Sequence, residues 1–232
     1  MLASDLFKLI DCEVPRDLAL KKDFVGFMGP GLPEKIDVKN VLVVLDYHQK
    51  LEDEAWDLIV AHHPPMITPE IPIYVIHSNW DVVKGGANDA LAESLDINVI
   101  DCLDKNTGIG RICSTKTTIE TFLEKVSHTL NTEQLKVVRN NCDVLEKVAV
   151  ISGFGLNQDY IELAHKMGMD LILSGDLTHK GALTAMKLGI SVVDATHHAT
   201  EVPGLLRLCK LISDFGLMVE FEYPQTPWEI YG

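Results

Sequence analysis

Short apolar runs of four or five residues recur along the chain, separated by polar or glycine-containing stretches. Val41-Leu-Val-Val-Leu45, Asp57-Leu-Ile-Val-Ala61, Ile73-Tyr-Val-Ile76 and Asn98-Val-Ile-Asp101 are rich in β-branched residues and lack polar alternation. That pattern predicts strands covered on both faces, as in α/β sheets. Ala87–Ser94 reads as an amphipathic helix between the third and fourth runs. At the N-terminus Ser4 gives a capping signature for a helix reaching about Asp11. The Gly/Pro-rich stretch Gly26–Pro33 is a loop without an assignable element.

The pattern returns from residue 148. Val148-Ala-Val-Ile151 resembles Val41-Leu-Val-Val44, Asp170-Leu-Ile-Leu-Ser174 follows Asp57-Leu-Ile-Val-Ala61 almost residue for residue, and Ile190-Ser-Val-Val193 matches Ile73-Tyr-Val-Ile76. The second and third runs start 16 residues apart in the first half and 20 apart in the second. This predicts an internally duplicated α/β protein, with residues 1–111 as the first half and 148–232 as the second, packed as a single compact unit. Residues 112–147 form a structured connection. In it Thr117-Thr118-Ile-Glu120 marks a helix start with Ile119, Phe122, Leu123 and Val126 on one face, and Gln134-Leu-Lys-Val-Val138 reads as a strand.

Length and composition add bounds. At 232 residues, with 47% apolar and 23% charged residues, the chain can build a core without disulfides or metal. Its apolar runs fall far short of the ~20 residues of a membrane helix, and charges within the first eight residues argue against a signal peptide. A cytoplasmic protein that does not enter membranes is expected. The formal charge of −14 and pI near 4.9 disfavour general nucleic-acid binding, although a local basic stripe could override it. Cys12, Cys102, Cys113, Cys142 and Cys209 are scattered without a Cys-x-x-Cys pair, so reduced and mostly buried thiols are expected.

The histidines carry the chemistry. His62-His63-Pro64 follows one expected strand, His77-Ser-Asn-Trp-Asp81 the next, and His197-His198-Ala-Thr-Glu201 comes shortly after the run Ile190–Val193. Imidazoles and carboxylates therefore gather at the carboxyl ends of strands, where open α/β sheets bind ligands. Imidazole nitrogen and carboxylate oxygen suit Zn, Mn, Fe or Ni, and no thiolate lies near. Adjacent histidines diverge and so can reach different ions, while His197 and Glu201 share one face of a helical turn. Three histidines and two carboxylates would serve two ions ~3.5–4 Å apart, bridged by a carboxylate and a water. His48, His128 and His165 are read as ordinary hydrogen-bonded residues.

His62-His63-Pro64, His77-Ser-Asn-x-Asp81, Gly108-x-Gly110-Arg111, Ser174-Gly-Asp176 and His197-x-x-x-Glu201, in that order, resemble the NGG-interacting-factor-three-like family, whose members are often described as GTP cyclohydrolase type 2 homologues. The resemblance spans nearly the whole chain. It implies two intertwined α/β halves related by a pseudo-dyad, a dinuclear metal site in the cleft between them, and a ring-shaped homohexamer. It also implies that His62, His63, Asp81, His197 and Glu201 hold two divalent ions per chain. His77 then acts beside them in acid–base chemistry. Two positions depart from the family pattern: Pro65 replaces a larger apolar residue, and Thr196 stands where glycine is common.

Gly108-Ile-Gly-Arg111 is read first as a structural turn, with a phosphate-cradling loop as the alternative, because it lacks the third glycine of a dinucleotide fingerprint. Asp176 and His179 are expected to line the cleft. The first functional reading is a dinuclear-metal-dependent hydrolase acting on a nucleotide or phosphorylated small molecule. The second is a metal-containing ring that binds DNA or transcription-related partners, with Lys21, Lys22, Lys35, Lys136 and Arg139 near its opening. A metal-storage role lacks a His-rich tract.

Overall fold

A computed structural model of the chain describes residues 1–53, 56–132, 134–140, 143–224 and 226–229. In chain order the elements are α1 (Ala3–Glu13), β1 (Gly26–Met28), β2 (Asn40–Val44), β3 (Leu58–Ala61), β4 (Ile73–Val75), α2 (Ser78–Val82), α3 (Ala87–Ser94), β5 (Asn98–Cys102) and β6 (Arg111–Thr118). They continue with α4 (Ile119–Thr129), β7 (Lys136–Val138), β8 (Val144–Phe154), α5 (Gln158–Lys166), β9 (Leu171–Gly175), α6 (His179–Leu188), β10 (Ser191–Asp194), α7 (His197–Asp214) and β11 (Met218–Phe221). The chain divides into two compact units, Met1–Val83 with Leu205–Gly232, and Lys84–Gly204. These boundaries fall elsewhere than the expected 111 and 147, and the second falls inside α7.

The first unit holds a sheet of order β1-β4-β3-β2-β11. β11, β2, β3 and β4 run parallel and β1 closes the edge antiparallel to β4. Every residue of β3 and β4 is buried, as unbroken β-branched runs predict. Leu42, Val44, Ile59, Ala61, Ile73 and Val75 pack with Tyr47 and Leu51 on one face. The helix α1 begins earlier than expected, with Leu2 at its N-cap and no side-chain cap; Ser4 lies inside it, and the entry is held instead by the backbone bond from Ala3 N–H to Ile36 O. Part of the unassigned stretch 26–33 pairs as β1.

The second unit holds a sheet of order β5-β6-β8-β9-β10-β7, with β8, β9 and β10 parallel and the flanking pairs antiparallel. Its two faces carry separate cores, one centred on Phe122, Leu145 and Leu171, the other on Ile151, Ile161 and Ile172. Thr118 caps α4 by accepting the Thr121 N–H at 3.2 Å, as the Thr-Thr-Ile-Glu signature predicts. The strand β5 exists as expected but is not covered: Val99 and Ile100 are exposed on an edge strand that, among the described residues, pairs with β6 alone.

Two details tie the sheets to the sequence pattern. Asp57 Oδ2 accepts the backbone N–H groups of Lys39 and Asn40 at 3.0 and 2.9 Å, at the start of β2. Asp170 Oδ2 accepts those of Glu146 and Lys147 at 2.8 and 2.9 Å, within β8. Counted from these aspartates, Val41 faces Leu58 just as Val148 faces Leu171. The third strands differ from the sequence match: Ile73 pairs with Ile59 where Val192 pairs with Ile172, so Ile73 corresponds to Val192 rather than Ile190. Among the described cysteines only Cys113 is fully buried, its thiol pushed up to about 12 by burial and the nearby Asp89, and Cys12 is exposed; Cys142 lies outside the described residues. No helix among the described residues is long and apolar enough to cross a membrane.

Candidate metal centre

In the first unit the residues after β3 keep the sheet's hydrogen bonding. His62 N–H donates to Val44 O at 3.0 Å and His63 N–H to Leu45 O at 2.9 Å, so both imidazoles project from rigid backbone. The motif His77-Ser-Asn-x-Asp81 starts α2, and each polar residue in it has a task. Ser78 accepts Leu20 N–H at 2.9 Å and donates to Asp23; Asn79 accepts His77 N–H at 3.1 Å and donates to Val14 O at 3.3 Å. The motif thus ties the loop 14–23 to α2 and sets His77 and Asp81 one turn apart.

The rings of His62, His63 and His77 stand 5.1–5.3 Å apart, centroid to centroid. One ligand nitrogen from each lies within 4.8 Å of the others. Asp81 reaches the same place, with its buried Oδ1 3.5 Å from the buried Nε2 of His62. In the second unit His197 Nε2 lies 3.2 Å from Glu201 Oε1 across one turn of α7. With metal–ligand bonds of ~2.0–2.1 Å, neighbouring atoms of a tetrahedral site stand roughly 3.3 Å apart. Both pairs fit that spacing.

The four imidazoles are held alike. Their Nδ1 atoms meet Ile76 O (His62, 2.8 Å), Asp46 Oδ1 (His63, 2.8 Å), Asp23 Oδ1 (His77, 2.8 Å) and Asp176 Oδ2 (His197, 2.7 Å). A carbonyl or an ionised carboxylate only accepts, so each Nδ1 carries a proton, and the Nε2 of each ring presents a lone pair once that ring is neutral; His197 must first lose the proton its Nε2 shares with Glu201. Metal-ligating histidines are oriented in this way. The residues therefore fit a divalent ion.

The two units differ electrostatically. Burial, then the neighbouring His62, holds His77 below the ordinary imidazole range. Burial alone would raise Asp23, but bonds from Ser78 and His77 outweigh it and hold the carboxyl below its usual range. Burial alone would lower His197, but its bonds with Glu201 and Asp176 outweigh it and push it up to about 9.

Of the expected residues, the first unit brings together His62, His63, His77 and Asp81, and the second brings together His197, Glu201 and Asp176. His77, expected beside the ligands rather than among them, stands as close to His62 and His63 as these do to each other. His198 is in neither cluster of possible metal ligands among the described residues, and His179 is exposed at the start of α6. Asp23 and Asp46 were not anticipated: Asp46 directly follows the first apolar run and was open to the same argument as His62, whereas Asp23 lies in an irregular loop with no such signal. Arg111 is buried, its guanidinium bidentate to Asp89 at 2.9 Å and bonded to Gly108 O and Gly110 O at 3.0 Å. That supports the structural-turn reading of Gly108–Arg111. Lys136 and Arg139 pair with Asp194 and Glu120.

A fold of two such sheets, with histidines at the strand ends, defines a mixed α/β protein of a distinct class. Residues 65–226 match the family described as Duf34/NIF3 (NGG1p interacting factor 3), and the chain belongs to it. It is 44% identical, over 97% of its length and 94% of the relative's, to a GTP cyclohydrolase 1 type 2 homolog of Methanothermobacter thermautotrophicus. A protein of the same description from Methanocaldococcus jannaschii is 34% identical over 92% of this chain and 95% of that one. Among solved structures, reduced HcgD from Methanocaldococcus jannaschii matches with a TM-score of 0.85 and 32% identity, covering 95% of this chain and 97% of that one. A Bacillus cereus protein related to NIF3 shares the fold at a TM-score of 0.84 and 21% identity, covering 99% of both chains.

Proposed function

We propose that the protein is a dinuclear-metal-dependent hydrolase acting on a nucleotide or a phosphorylated small molecule. His62, His63, Asp81, His197 and Glu201 hold two divalent ions (Zn, Fe, Mn or Ni) in the cleft between two internally duplicated halves. The observation that carries this reading is the shared anchoring of four imidazoles through Nδ1 to oxygen acceptors, which presents Nε2 for ligation. The duplication is supported by the four-strand order β1-β4-β3-β2, repeated as β7-β10-β9-β8, and by Asp57 and Asp170, each of which accepts two N–H groups of the neighbouring strand.

When bound, such ions lower the pKa of a coordinated water and neutralise anionic oxygens. The chain supplies the rest. His77, fixed by Asp23, takes and returns a proton at Nε2. Asp46 and Asp176 hold His63 and His197 in place. The substrate class follows the relatives' description as GTP cyclohydrolase homologues. The protein assembles, on this proposal, as a cytoplasmic toroidal homohexamer of six times the 25.7 kDa chain mass, which sedimentation measures directly.

The test is metal analysis followed by a panel of nucleotides and phosphoesters with and without chelator. About two ions per chain are expected, with Asp81→Ala and Glu201→Ala each losing at least one and His128→Ala losing none. His77→Gln should keep the metal and abolish turnover. If it loses an ion instead, His77 is a ligand and the proton passes elsewhere. Metal-loaded wild type that hydrolyses nothing, yet binds DNA with a steep salt dependence, replaces the hydrolase with a DNA-binding ring.

A further inference from the structure

We infer that Thr200 is a positioning residue for the metal centre, acting through Gly153 on the place where Glu201 sits; this rests on the metal-centre reading above. The starting point is a break in the sheet. β8 and β9 pair regularly to Val150 and resume at Phe154, leaving a bulge between them. Gly153 lies in that bulge with φ +74°, a left-handed conformation that favours glycine. A Cβ there would collide with Glu201 Oε1 and approach His197 Nε2 to 3.3 Å. Any other residue would fill the space that Glu201 occupies.

Side chains hold this glycine on both sides. Its N–H donates to Thr200 Oγ1 at 2.9 Å, and its carbonyl accepts Ser174 Oγ at 3.0 Å. Thr200 Oγ1 in turn donates to His197 O at 2.7 Å, so one hydroxyl joins the bulge to the ligand-bearing turn. Ser152 continues the network on both sides. Its Oγ donates to Thr200 O at 3.1 Å and its N–H to Asn88 Oδ1 at 2.9 Å. Asn88, Ser174 and Thr200 are completely buried. On the other side, a Cβ on Gly175 would meet His197 N and Cα at 2.5 Å, so the first turn of α7 rests directly against the end of β9.

A hydroxyl that both accepts from Gly153 and donates to His197 fixes the bulge relative to the turn carrying His197 and Glu201. Removing it leaves the Gly153 N–H without that acceptor and frees the bulge to move toward the Glu201 carboxylate. Partners of this kind change metal affinity about 10–100-fold.

Zn²⁺ titrated into metal-free protein against a chromophoric chelator tests the inference, with thermal unfolding of the metal-free forms measured in parallel. Thr200→Val, equal in shape but lacking the hydroxyl, should weaken one of two Zn²⁺ sites about 10–100-fold, and Thr200→Ser should restore it. Thr200→Val that loses thermal stability but keeps both affinities shows a purely structural role and overturns the inference. If Thr200→Val does not fold, Ser174→Ala, which removes only the carbonyl's partner, should weaken the same site, and unchanged affinity there overturns the inference equally. Wild type that takes up no Zn²⁺ or other divalent ion would remove the metal-centre reading itself, a distinct outcome visible before any variant is made.

Discussion

The sheet of the first unit and the sheet of the second share an arrangement but not a chemistry. In one, β2-β3-β4 run parallel with β1 antiparallel beside β4; in the other, β8-β9-β10 run parallel with β7 antiparallel beside β10. His62 and His63 stand five and six residues after Asp57, where Gly175 and Asp176 stand after Asp170. The first unit thus places imidazoles directly on the end of its central strand. The second has Gly175 there, against which α7 packs, and the Asp176 carboxylate, which holds His197, so that His197 and Glu201 come from the helix. Similar strand paths therefore carry imidazole-rich and carboxylate-rich clusters, and the side chains at the strand ends decide which.

The comparison is broken most sharply by charge burial. Arg111 and Asp89 are largely buried and bidentate, whereas Arg16 and Asp11 of the first unit are partly open to solvent. Arg111→Met leaves the Asp89 carboxylate buried without its partner and should cost about 3–5 kcal/mol. Arg16→Met, which also loses its stacking on Tyr74, should cost about 1 kcal/mol or less. Urea denaturation of both variants measures the contrast. Comparable losses would mean that the first pair is as buried in solution as the second.

A smaller effect sharpens the likeness. Asp57→Ala and Asp170→Ala each remove a carboxylate that accepts two backbone N–H groups, at the start of β2 and within β8, and each should cost about 1–2 kcal/mol. Equal losses support the proposed duplication; a loss at only one position means that the two aspartates no longer perform the same task.

How much of this was legible beforehand depended on burial. Strands β2, β3, β9 and β10 stood out because two-sided burial leaves unbroken β-branched runs. Strand β6, in Arg-Ile-Cys-Ser-Thr-Lys-Thr-Thr, did not, because its second half faces solvent and reads as polar. The candidate histidines were visible as clusters at strand ends. Their carboxylate partners were less so: Asp23 meets His77 across 54 residues, a separation no local pattern encodes. The two-residue shift that places Val192, not Ile190, opposite Ile172 was also hidden, since either alignment puts an apolar run in the strand.

That shift gives the finest comparison. Two residues beyond β4 stands His77, and two beyond β10 stands Thr196. His77 has φ −115°, but Thr196 has φ +70°, where a β-branched side chain is strained by roughly 1–2 kcal/mol. Hydrogen bonds hold it there: its N–H donates to Asp194 Oδ1 at 2.9 Å, its carbonyl accepts Thr200 N–H at 3.3 Å, and its Oγ1 accepts Ala199 N–H at a long 3.4 Å. Thr196→Gly relieves the strain, keeps the two backbone bonds and loses the weak Oγ1 bond. It also gives the unfolded chain extra freedom, worth about 0.5–1 kcal/mol. The net expectation is a small gain, about 0.5 kcal/mol in urea denaturation, by the same strain and entropy terms. A loss instead would show that the Oγ1 bond at the start of α7 outweighs the backbone strain, making threonine the stabilising choice beside His197.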